Sequence, residues 1–196
     1  MQCDADKCAD VKPKTRILAT LWQPKLVDLD PMRDQLAAMS GLLQATHRQR
    51  IIHNAAHQVL IPNWVHNADE STATKKSQSI TLLWQSQIIL LEKMEGIHLE
   101  YVVAGINERF DLVDTVERTV YELKTSSKNP HHEFYKDVFK VWVHNRNAPQ
   151  DAFHRFVFLV PNPGADQLNR GLGFQVQRRI DELGFGINVM DVGQTL

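Results

Sequence analysis

Cysteine is scarce in this chain: Cys3 and Cys8 are its only two, both in a polar start. A structural zinc site usually takes four ligands, and no second cysteine pair exists to complete one. Two reduced thiols in a loose N-terminal tail are expected instead. No window of eighteen consecutive apolar residues occurs, which argues against a membrane-spanning helix. The opening MQCDADKCADVKPK lacks the apolar core of a signal peptide, so the expected location is cytoplasmic. Charge of one sign is not in excess, since 22 Lys and Arg stand against 23 Asp and Glu. The chain therefore does not coat nucleic acid through bulk charge, although an enzyme that gathers its basic residues into one cleft is compatible with that balance. Gly171 and Gly173, near Arg170, Arg178 and Arg179, do not follow the spacing of a phosphate-binding loop, and nothing suggests ATP use. What is present is ordinary for a globular protein: 43% apolar and 23% charged residues over 196 positions. That excludes disorder over the whole length and leaves enough chain for one domain with a core and a small appendage.

The hydrophobic pattern divides the chain into a helical first part and a better-defined second part. Asp30-Pro31 is a helix start, followed by Met32, Leu36, Met39 and Leu43 at helical spacing. Thr46–Leu60 reads as another helix, closed by Pro62-Asn63. The polar stretch at 66–77 is the expected connector, giving a tail and helical extension over 1–77 and a core over 78–196. In the core, 78–94 predicts a helix with Leu82, Leu83, Ile89, Leu90 and Met94 as apolar positions, ended by Gly96. Strands are expected at Leu99–Ala104, Phe110–Val116 and Thr119–Ser126, then a helix over 132–145. A strand at Phe156–Val160, a helix over 166–183 and a strand at Ile187–Val192 complete the order. The expected class is α/β, with αβββαβαβ order and a mixed sheet.

The segment with chemical content is RFDLVDTVERTVYELKTSS, residues 109–127. On a strand, Glu122 and Lys124 share a face while Leu123 points the other way. The plain alternative is an edge strand with a solvated charged face. If VERT at 116–119 is a hairpin with a two-residue loop, Asp111 lies opposite Lys124 and joins that face, with Asp114 on the reverse. A four-residue loop keeps those faces, whereas a three-residue loop brings Asp114 round instead. The commonness of two-residue loops favours Asp111, and the lack of Gly or Asn at the turn weakens that preference. Two carboxylates suit a hard divalent cation such as Mg²⁺, which polarises a phosphoryl oxygen and acidifies bound water. An ammonium beside them stabilises developing negative charge. Metal-assisted phosphodiester hydrolysis is the chemistry this set fits.

In its α-β-β-β-α-β setting, Asp111 followed by Glu122-Leu123-Lys124 resembles the signature of the PD-(D/E)XK nucleases, the restriction-endonuclease-like fold. Phe110 stands where the signature's name has proline, a residue that many members lack. The resemblance spans 78–192 in element order and implies a restriction-endonuclease-like αβββαβ core with an N-terminal helical extension. It implies Asp111, Glu122 and the Leu123 carbonyl as metal ligands, Lys124 as the catalytic lysine, and Mg²⁺ as cofactor with Mn²⁺ able to substitute. A further acidic or amide residue on the preceding helix is common in the family. Glu92, Gln85 and Gln87 are the candidates, each with a solvated helix face as the alternative.

The implied activity is a Mg²⁺-dependent DNA endonuclease, foremost a Type II restriction enzyme cutting a specific double-stranded site as a homodimer. A repair, recombination or mobile-element nuclease of the same fold is the second reading, and a noncatalytic DNA- or protein-binding module the third. DNA-contact candidates are Arg48 and Arg50 in the helical part, Thr125, Ser126 and Lys128 after the catalytic strand, and Lys136 and Lys140, which share a helix face at i,i+4. His53 and His57 have zinc-compatible spacing, but Asn54 stands where a metalloprotease carries Glu and no third ligand is evident. They are read as surface or DNA-facing polar residues.

Overall fold

The computed structural model describes residues 45–63, 70–91, 94–172, 182–193 and 196. Among the described residues two helices come first, α1 (His47–Asn63) and α2 (Glu70–Leu91). Three strands follow, β1 (Ile97–Val102), β2 (Arg109–Asp114) and β3 (Thr119–Leu123). Then come α3 (Pro130–Asn147), β4 (Arg155–Val160), α4 (Gly164–Gly171) and β5 (Gly186–Asp191). The five strands form one mixed sheet in chain order. β1, β2 and β3 run antiparallel, joined by short links, while β4 and β5 are parallel to β3. Parallel neighbours need a crossover, and α3 and α4 supply it.

Both sheet faces are covered. On one, Leu112, Tyr121, Val157 and Leu159 pack with Ile52, Ala56 and Leu60 of α1 and Ile80, Trp84 and Ile88 of α2. On the other, Val113, Val120, Phe156 and Phe158 pack with Phe134 and Val141 of α3 and Leu168 of α4. β4, RFVFLV, is buried at every residue after Arg155, as a central strand between two helix layers must be. Asn129 begins α3 in a left-handed conformation, with Pro130 supplying a fixed φ at the first helical position.

Several sequence expectations shift. The proposed connector is helical from Glu70 onward, so a boundary at 77/78 falls inside α2. Residues Ala38–Leu196 form one compact unit, and α1 contributes to its core. On α2 the buried face is Ile80, Trp84 and Ile88, whereas Leu82, Leu83, Ile89 and Leu90 are exposed. Apolar residues occur around the whole of this helix, so spacing alone does not choose a face. Packing does, and Trp84 adds an Nε1–H bond of 3.1 Å to the Ile52 carbonyl. α4 ends at Gly171, short of the expected 183; residues 173–181 of that expected helix lie outside the described residues. The expected helix over 30–43 and the two cysteines lie outside the described residues.

The hairpin between β2 and β3 has a four-residue turn, Thr115–Arg118, in place of the expected two. Its register pairs Asp114 with Thr119 and Leu112 with Tyr121. Asp114 shapes the turn: its Oδ1 accepts the N–H groups of Val116 at 2.9 Å and Glu117 at 3.1 Å. Arg118, at φ 49°, closes it.

Strict strand alternation fails at one level of the sheet. Leu99 and Leu112 pack with the first cluster, yet Tyr101 and Phe110, two residues away on the same strands, pack with the second. Residues two apart on a regular strand share a face, so both strands reverse at the intervening Glu100 and Asp111. Glu100 has a left-handed φ of 48°, uncommon for a residue other than glycine. The β2–β3 ladder stops at Leu112–Tyr121, next to this reversal.

Candidate active site

An open cleft of about 920 Å³ lies at this reversal. Its floor includes Asp111, Glu122 and Lys124, and its walls include Ser77, Gln78 and Thr81 of α2 and Glu133, Lys136, Asp137 and Lys140 of α3. Where the β2–β3 ladder has ended, the Asp111 carboxylate takes over: Oδ2 accepts the Leu123 N–H at 3.0 Å. The Asp111 main chain is held from the other side, since Gln85 Nε2 donates to its carbonyl at 2.8 Å and to Glu100 Oε1 at 3.0 Å. Asp111 and Glu122 thus arrive together because one strand leaves the ladder and a buried amide fixes where it goes.

Burial raises the Asp111 carboxyl above the ordinary carboxylate range, against the lowering effect of the Leu123 N–H. Glu122 is pushed well above that range, first by burial and then by Asp111 and Asp137 nearby. Asp137 is pushed up to about 6, again mainly by burial. Lys140 is set among them: its Nζ donates to Glu122 Oε1 at 2.5 Å, Asp137 Oδ1 at 2.8 Å and the Arg109 carbonyl at 2.8 Å. Burial alone works against its charge, but Glu122 and Asp137 outweigh burial and keep it protonated. Lys124 is looser, with Nζ 3.9 Å from Glu133 and its side chain 24% exposed. Lys136 at the rim pairs with Glu108 at 3.4 Å.

No protein-family model, curated protein or solved structure matches the chain.

The structure brings Asp111, Glu122, Leu123 and Lys124 to one cleft, with Thr125, Ser126, Lys136 and Lys140 also lining it. Thr125 Oγ1 lies 2.6 Å from Ser77 Oγ. Lys128 is exposed and outside the lining. Lys140, read from the sequence as a DNA contact, is buried and gives its protons to protein acceptors, because α3 turns it inward against Glu122. Arg48 belongs to the other side of the sheet: its Nε is 2.5 Å from Asp114 Oδ2 and its Nη2 donates to the Glu95 carbonyl at 2.7 Å. Asp114 itself is fully buried there. Arg50 is exposed on α1, and neither arginine lines the cleft. Gln85 is buried beside the site, Gln87 bonds Gln58 elsewhere, and Glu92 lies outside the described residues.

The His53–His57 pair is structural in its contacts. His53 Nε2 meets the Asp191 carbonyl and His57 Nδ1 the Val192 carbonyl, each at 2.8 Å, and His53 is buried rather than DNA-facing. Sequence reasoning missed Glu100, Glu133 and Asp137 as cleft residues. A signal for two of them was present: Glu133, Lys136, Asp137 and Lys140 follow the i, i+3, i+4, i+7 spacing of one helix face.

Among the described residues, no group of three or more His, Cys, Asp or Glu side chains is placed to hold a metal ion. Asp111 and Glu122 offer two carboxylates. Mg²⁺ is usually held by one or two carboxylates, with water and substrate phosphate completing its shell. The donor set therefore fits a hard divalent cation bound in that open manner, and does not fit an all-protein cage.

Proposed function

We propose that the protein is a Mg²⁺-dependent nuclease that hydrolyses phosphodiester bonds in double-stranded DNA, with a restriction-type endonuclease as its most specific form. The observation that carries this reading is the meeting of Asp111 and Glu122 in an open cleft, with Lys124 in the same lining. The element order and the mixed sheet agree with the restriction-endonuclease-like arrangement that the sequence resembles.

Asp111 and Glu122 would hold the cation. When bound, it supplies Lewis-acid polarisation of the scissile phosphate and a water of lowered pKa. Lys124, whose Nζ lies 3.9 Å from Glu133 Oε1, would donate to the attacking water and to a non-bridging phosphate oxygen. The hydroxyls of Thr125 and Ser126 and the ammonium of Lys136 offer donors to the flanking phosphates. Glu122 is kept in place by Lys140, and Asp111 by Gln85 and the Leu123 N–H.

The test is incubation of unmethylated phage DNA with the purified chain, in Mg²⁺ or in chelator. Discrete metal-dependent fragments are expected from wild type. Glu122→Gln and Lys124→Ala should each lower the rate about 10³-fold, the equivalent of several kcal/mol of transition-state stabilisation. Cleavage by Glu122→Gln at the wild-type rate would overturn the reading.

A further inference from the structure

Lys140 is the buried cation of the cleft, and the DNA-cleaving chemistry described above gives it no direct part. Its side chain is 6% exposed, as is that of Glu122, and Asp137 is 10% exposed. An ammonium has three protons to donate. Here three elements take them: Glu122 from β3, Asp137 from α3 itself, and the Arg109 carbonyl from β2. The Phe110 ring lies 5.5 Å from the same nitrogen. No proton remains for a phosphate.

The position is informative. Without Lys140, Glu122 and Asp137 would be two buried carboxylates facing each other beside a third, Asp111. Such a pair is where a second divalent ion would be drawn. The ammonium already sits between them, covalently tethered and fully hydrogen-bonded. Displacing it would break three hydrogen bonds, all charge-assisted by the ammonium. Glu122 gives one acceptor site on Oε1 to Lys140, and its other oxygen carries no bond to that ammonium.

We propose that Lys140 is a built-in cation standing in place of a second metal ion, so that the cleft takes a single divalent cation, at Asp111 and Glu122. This inference rests on the metal-dependent reading of the site. It makes Lys140 and Asp137 positioning residues rather than catalytic ones.

Counting ions tests it without DNA and without turnover. Mn²⁺ is titrated into the full chain, with free ion followed by electron paramagnetic resonance and binding by calorimetry. Wild type should bind one ion per chain. Lys140→Met should open the Glu122–Asp137 position and bind a second, with circular dichroism checking its fold. Asp137→Asn should still bind one, within about threefold of the wild-type affinity, since Asp137 serves Lys140 and not the metal. Two ions in wild type would overturn the inference and leave the nuclease reading standing. No ion in wild type would overturn the nuclease reading and this inference with it. One ion in a folded Lys140→Met would show that Lys140 is not what excludes the second. If that variant does not fold, the wild-type and Asp137→Asn counts decide, and loss of the ion in Asp137→Asn would identify Asp137 as a ligand and overturn the proposal.

Discussion

Asp111 and Asp114 stand three positions apart on one strand and have opposite tasks. Asp114 is buried against Arg48 and accepts two turn N–H groups, so its charge is matched and its oxygens are used. Removing one partner of such a pair leaves the other uncompensated, at a cost of about 3 kcal/mol. Asp114→Asn should therefore lower the melting temperature clearly while leaving the cleft intact, as paired thermal unfolding and cleavage assays would show. Asp111 sits beside Glu122; burial opposes ionisation of Asp111, and burial together with Asp111 opposes ionisation of Glu122. Asp111→Asn relieves that conflict. It should abolish metal-dependent cleavage and leave stability in chelator equal to wild type or higher.

The helices act at a different scale, by choosing which side of themselves to bury. α2 packs Ile80, Trp84 and Ile88 and leaves Leu90 82% exposed. Trp84→Ala should destabilise by about 3–5 kcal/mol, through lost burial and the cavity left behind. Leu90→Lys should change stability by no more than about 0.5 kcal/mol. Urea unfolding of the two variants compares them directly. α1 clamps the end of β5 through His53 and His57. Burial lowers the pKa of His53, with a smaller contribution from His57, against raising effects of the Asp191 carbonyl and charge and of Asn54. A histidine whose folded pKa lies below its unfolded value of about 6.5 gives full stability above that pH and loses it as pH falls below it. The unfolding free energy should thus drop on acidification below about pH 6.5, and His53→Gln should flatten that slope.

For the molecule as a whole, the mixed sheet sets the site's location. Its antiparallel half brings β2 beside β3, and α3, the crossover into the parallel half, lays a charged face over the same spot. The result is a cleft in which Glu100, Glu108, Asp111, Glu122, Glu133 and Asp137 meet Arg109, Lys124, Lys136 and Lys140. Carboxylates exceed cations there, and a divalent ion of the proposed kind would offset the difference. If the proposed site binds Mg²⁺ in the folded chain alone, Mg²⁺ at a hundred times its dissociation constant should add about 2.7 kcal/mol of stability. Melting curves in Mg²⁺ and in chelator would show the rise, and Asp111→Asn should remove most of it.

Element order, the mixed class and the Asp111–Glu122–Lys124 set were legible in the sequence alone. Strand periodicity predicts Glu122 and Lys124 on one face and a turn of two or four residues keeps Asp111 with them, whereas in the structure β3 ends at Leu123 and β2 reverses at Asp111. The buried face of α2 was not legible, because apolar residues surround that helix and only packing against α1 and the sheet selects among them. Nor was the fate of Arg48 and Lys140. A basic residue read along the chain looks available to phosphate, whereas a partner 66 positions away, in Asp114, or 18 away, in Glu122, takes its charge in the folded protein. The reversal of β1 and β2 at Glu100 and Asp111 belongs to the tertiary structure too. A left-handed residue and a ladder that stops short leave no mark in a hydrophobic pattern, yet they open the cleft.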